Sequence, residues 1–97
     1  MTAKKTITGR LMTQKEKILQ KLLSGTSDAH IGFDELCGVL RNLAFSERVR
    51  GSHFIYTKDG VEEILNIQSK GGKAKPYQVR QVRNVIVKYK LGGKIHD

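Results

Sequence analysis

At Phe45 the hydrophobic periodicity of this chain changes, and that change limits the folds open to it. Upstream, apolar residues recur every three or four positions. Ile18, Leu19, Leu22 and Leu23 come first, then Leu36, Leu40 and Leu43 with Phe33 one turn before. Such spacing lines one face of a helix. In "FSERVR" (45–50), Phe45, Glu47 and Val49 alternate with Ser46, Arg48 and Arg50, the period of a half-buried strand. Past Gly51, "SHFIYT" resumes with aromatic and β-branched residues, "KDG" at 58–60 marks a hairpin turn, and "VEEILNIQS" supplies a third strand over 61–69. Helical spacing then returns in Val79, Val82, Ile86 and Tyr89, predicting a helix over 77–90 that Gly92 and Gly93 stop.

Local signals fix the ends of these elements. Thr13 and Glu16 stand in capping-box spacing, so each can satisfy the other's free backbone N–H at the start of a helix over 14–24. "SGTSDAH" (24–30) is dense in turn formers and ends it. Asp34 and Glu35 fall in the first turn of the second helix (33–43), where carboxylates complement the helix dipole, and Gly38 weakens that helix by about 1 kcal/mol relative to alanine. "KGGKAKP" (70–76) reads as a glycine- and lysine-rich loop, and Pro76 suits the first turn of the last helix.

The order is therefore α-α-β-β-β-α. Segregated strands between helices predict an α+β fold: a three-stranded antiparallel sheet with helices packed on one face. From the second helix onward, α-β-β-β-α is the order of a double-stranded-RNA-binding domain, here with an extra N-terminal helix. Residues 1–12 have no periodicity and are expected to form a flexible basic arm, and 13–97 a single domain.

Charge narrows the partners. Eighteen Lys and Arg against nine Asp and Glu give a net charge of +9, which attracts a polyanion, and nucleic acid is the commonest soluble one. The single Cys37 lies in a helical stretch and is read as a packing residue. It can form no internal disulfide, and no Cys/His spacing suits zinc. A reducing, cytoplasmic location is the expectation. "MTAKKTITGR" is followed by no apolar stretch of a signal peptide, and no apolar run nears the roughly 20 residues that span a bilayer.

Positive charge concentrates around the last helix. Lys70, Lys73 and Lys75 precede it, and Arg80, Arg83, Lys88 and Lys90 project from it. The free N–H groups of its first turn add a phosphate-binding element, and Gly71 and Gly72 let a backbone come close. His53 is the one histidine in an ordered apolar stretch, with Arg48 and Arg50 just upstream, whereas His30 sits in a turn region and His96 near the C-terminal end. A histidine in a strand is usually structural, but an imidazole can exchange protons near neutral pH. RNA cleavage by its own 2′-OH needs one group to manage a proton and cations to stabilise the phosphorane, and no metal. Asp34 and Glu35 on a helix, and Glu62 and Glu63 on opposite strand faces, form no evident metal site. Neither a metal nor an organic cofactor is expected.

"GSHFIY" (51–56), "DG" (59–60) and "KGGKAKPYQVRQVRNVI" (70–86) together resemble the HicA toxins of bacterial type II toxin–antitoxin modules. The likeness spans about 33–91. It implies an mRNA interferase of double-stranded-RNA-binding-like fold, neutralised by a HicB-type antitoxin. His53 would then correspond to the histidine that cleavage requires, and Gly51 to the glycine whose bend presents it. Ser52 is either a hydrogen-bonding neighbour of that histidine or a plain turn former. Many family members carry a second histidine directly after the first, where this chain has Phe54, leaving the general acid unassigned. The expected RNA contacts are Arg48, Arg50, Lys70, Lys73, Lys75, Arg80 and Arg83. One question of orientation stays open: if Phe54 and Tyr56 are core, His53 faces outward, and if Ile55 is core, His53 is drawn in.

Overall fold

The computed structural model describes residues 13–92. The segment 1–12, expected as a basic arm, lies outside the described residues, as does His96. Helix α1 (Gln14–Ser24) opens with the expected reciprocal cap: Glu16 N donates to Thr13 Oγ1 at 3.1 Å, and Thr13 N to Glu16 Oε1 at 2.9 Å. A 3₁₀ turn (Asp28–His30) occupies the "SGTSDAH" segment. Helix α2 (Phe33–Asn42) begins where Glu35 Oε1 accepts from Gly32 N at 2.8 Å, so one of its acidic first-turn residues is a backbone cap.

Three antiparallel strands follow, β1 (Ser46–Arg50), β2 (His53–Lys58) and β3 (Val61–Ile67), with β2 in the centre. A two-stranded hairpin, β4 (Ser69–Lys70) and β5 (Lys73–Ala74), leads into helix α3 (Pro76–Lys88). Pro76 opens α3, where its missing N–H leaves no helix hydrogen bond unmade. Period-2 alternation turns Phe54 and Tyr56 of β2, with Leu65 and Ile67 of β3, into one core. They share it with Phe33, Leu36, Cys37 and Leu40 of α2 and Val79, Val82 and Ile86 of α3. Phe33 and Phe54 meet edge to face, ring centroids 5.0 Å apart. Helix α1 adds Leu19 and Leu22 to this core and packs on α2 and α3. The described residues thus form an α+β fold of three α-helices and a three-stranded antiparallel sheet, with the short 3₁₀ turn and the two-stranded hairpin besides. No helix among the described residues is long and apolar enough to cross a membrane.

Three local expectations change. Strand β1 is exposed along its whole length rather than half-buried. It is the sheet edge, and its central inward position is Glu47, which accepts hydrogen bonds from Tyr56 Oη and Arg41 Nε. The third strand ends at Ile67, two residues early, because Gln68 N leaves the ladder and donates to Gln78 Oε1 on α3 at 3.3 Å. "KGGKAKP" is a hairpin and not an open loop. Gly71 and Gly72 take φ of +59° and +80°, the paired left-handed conformation of a type I′ turn. The hairpin is docked on the chain before α2, with Phe33 N donating to Gly72 O and Ala74 N to Ile31 O, both at 3.0 Å.

Candidate nucleic-acid interface

Tyr56 is fully buried and Phe54 packs against the core, so His53 faces outward, on the sheet face that no helix covers, and Ile55 is half-buried beside it. The turn that delivers the histidine is two residues long, Gly51–Ser52, closed by the Arg50–His53 pair. Gly51 has φ +58°, the left-handed first position of a type II′ turn, and a side chain there would be strained although nothing crowds it. The register sets Arg50 directly across from His53 and Arg48 across from Ile55, all on the outer face.

Both nitrogens of the imidazole have neighbours. Nδ1 lies 3.0 Å from Asn66 Oδ1 on β3, and Nε2 lies 3.4 Å from Gln68 Nε2. The same Gln68 amide donates to Ser52 Oγ at 3.2 Å. Ser52 is therefore part of the hydrogen-bonded cluster as well as of the turn. Behind the cluster lies Gln78, a buried polar side chain only 2% exposed. Its Oε1 accepts from Gln68 N, and its Nε2 donates to Asn66 O at 3.3 Å. Tyr77, next on α3, is 56% exposed with its hydroxyl 3.5 Å from Gln78 Nε2.

The lysines gather at the same end. The hairpin begins one residue after Gln68, and its turn sets Lys70 directly across from Lys73. Like charges in that position repel, which a bound anion would relieve. Lys75 occupies the N-cap position of α3, and Arg80 is exposed one turn on, in a shallow groove with Tyr77, Gln81 and Asn84. None of Arg48, Arg50, Lys70, Lys73, Lys75 and Arg80 forms an ion pair with another described residue. Asp59 and Glu62 lie around the β2–β3 turn, at the opposite end of the sheet.

Arg83 is placed elsewhere. Its guanidinium grips Asp28 with two hydrogen bonds of 2.7 and 3.1 Å, and also donates to Leu22 O at 3.2 Å. Both side chains of the pair are under a fifth exposed. The hydrogen bond from Arg83 holds the Asp28 carboxyl below its ordinary range. Arg83 therefore ties α3 to the 3₁₀ turn, and the expected phosphate contact does not apply to it. Lys88 likewise pairs with Glu63 at 2.9 Å. Asn66, Gln68, Gln78 and Tyr77 were not among the expected site residues. Amides carry no motif, and what unites these four is contact between β3, the β1–β2 turn and α3. Among the described residues no three His, Cys, Asp or Glu side chains group as metal ligands.

The protein is, then, a small α+β domain with an outward histidine set in amides beside a cluster of unpaired cations. Comparison with protein-family models, curated proteins and solved structures gives no match.

Proposed function

We propose that this chain is an endoribonuclease toxin of the HicA kind, cutting mRNA without a metal and using His53 to move a proton. The observation that carries the reading is the placement of His53. It is solvent-exposed at the start of β2, just past the two-residue turn, with Arg50 opposite and the lysine hairpin one residue beyond its amide partner Gln68. The order α2-β1-β2-β3-α3 supports a double-stranded-RNA-binding-like fold, to which α1 and the β4–β5 hairpin are additions.

In this mechanism a phosphate next to the scissile bond docks on the Lys70, Lys73 and Lys75 group. His53 removes the proton from the 2′-OH, the 2′-oxygen attacks phosphorus, and the 5′-oxygen leaves. The products are a 2′,3′-cyclic phosphate and a 5′-hydroxyl, and Arg50 offsets the charge gained by the phosphorane. In-line attack puts the entering and leaving oxygens on opposite sides of phosphorus, so one imidazole cannot serve both. Position 54 cannot help, because Phe54 points into the core against Phe33. The proton for the leaving oxygen comes from water or from a neighbouring lysine. An acidic HicB-type antitoxin would cover the cations together with Ile64, an apolar residue 63% exposed on the open sheet face.

Induced expression of the wild type should fragment mRNA, and His53→Ala should leave it intact while RNA binding persists. Purified protein should fail on an RNA whose scissile nucleotide carries a 2′-deoxyribose. Intact mRNA under wild-type induction sinks the nuclease reading, and binding without cleavage would leave a non-catalytic RNA-binding module of the same fold.

A further inference from the structure

The contacts around His53 are unequal, and the inequality assigns different work to its two nitrogens. The Nδ1 contact, 3.0 Å to Asn66 Oδ1, is a full hydrogen bond. A carbonyl oxygen only accepts, so Nδ1 must carry a proton. The Nε2 contact, 3.4 Å to the Gln68 amide nitrogen, is long and easily displaced. That amide nitrogen has two hydrogens, one directed to Ser52 Oγ and one toward Nε2, so Nε2 presents a lone pair. The two amides are themselves fixed from one point, since buried Gln78 binds the backbone of both Asn66 and Gln68.

We propose that Asn66 and Gln68 are positioning residues that hold His53 in its Nδ1–H tautomer, leaving Nε2 as the nitrogen that takes the proton from the substrate's 2′-OH. The inference rests on the reading of His53 as the proton carrier. Asn66 clamps the ring by its far side, and substrate oxygen replaces Gln68 at Nε2. Gln68 then keeps its bond to Ser52, which holds the β1–β2 turn while the ring works. The arrangement needs an acceptor at position 66 and does not need an amide as such.

The test is long-range proton–nitrogen correlation on the ¹⁵N-labelled full chain with the ring neutral, His53 being assigned by its loss in His53→Gln. The wild-type ring should show a protonated Nδ1 and a bare Nε2. Asn66→Ala should let the Nε2–H form appear, and Asn66→Asp, which keeps an acceptor oxygen, should restore Nδ1–H. In cleavage of a short RNA, Asn66→Ala should lower kcat at least tenfold with KM nearly unchanged, part of the roughly 10²–10⁴-fold that a positioned proton carrier is worth. A wild-type ring protonated at Nε2, a tautomer indifferent to Asn66→Ala, or a tautomer that changes without any fall in kcat each overturns the proposal. If the wild type cuts no RNA, the nuclease reading fails separately, and the spectrum still decides the tautomer.

Discussion

Gln78, a buried amide among largely apolar neighbours, joins helix to sheet by hydrogen bonds. Its amide satisfies an N–H at position 68 and a C=O at position 66, just where β3 leaves the ladder. Replacing it with leucine keeps the volume but orphans both groups, each costing about 1–3 kcal/mol when buried. Gln78→Leu should therefore lower stability by about 2 kcal/mol, read as a drop in denaturant midpoint at constant slope. It should also shift the His53 ring resonances, since both amides lose their anchor. None of this was visible in the sequence. Gln68 and Gln78 are ten residues apart and Ser52 and Gln68 sixteen, and nothing in a run of amides marks which will converge. The outward direction of His53 was nearly legible, because two aromatics at 54 and 56 compete well for the core against one isoleucine at 55.

Helix α3 has two cationic flanks that sequence alone makes alike. Arg80 and Arg83 stand one turn apart, yet Arg83 is locked to Asp28 by two hydrogen bonds, whereas Arg80 is exposed and acts on that carboxylate only through its charge. Arg83→Ala should lower Tm by about 10 °C, matching a cost of about 2 kcal/mol in a domain this small. That cost lies below the 3–5 kcal/mol of a fully buried pair because solvent still reaches both partners. RNA binding below that temperature should not change. Arg80→Ala should do the reverse, sparing Tm and weakening RNA binding. The sign of the pH effect follows from the depressed Asp28 carboxyl. The stabilisation is complete above its ordinary pKa of 3.8 and is lost as pH falls through the lower folded value. Acid unfolding of Arg83→Ala should lack that component. Element ends such as Thr13–Glu16 were readable because their partners lie three residues apart. The partner of Arg83 lies 55 residues away, and the β4–β5 hairpin has strands too short to show a period.

At the end of the sheet bearing the Gly51–Ser52 turn, Arg50 and the facing Lys70 and Lys73 of the β4–β5 hairpin form no ion pair with another described residue, while Asp59 and Glu62 lie at the other end beside Lys58. Six of the expected contacts, Arg48, Arg50, Lys70, Lys73, Lys75 and Arg80, form no ion pair with another described residue and set the number of phosphates this surface would neutralise. For single-stranded RNA the slope of log affinity against log salt should reach about −4, and each single alanine substitution should reduce it by about 0.7. A slope near zero would place RNA elsewhere or nowhere. The layered α+β plan was legible because the switch in hydrophobic period is global and survives local errors. The partition of charge was not, because it depends on which turns share an end of the sheet. The Gln78 clamp also has a bearing on synthesis. Translation is vectorial, so His53, Asn66 and Gln68 leave the ribosome before the helix that orders them. A nascent chain paused before Pro76 already carries His53, Asn66 and Gln68 but not Gln78, the side chain that anchors the backbone of the two amides.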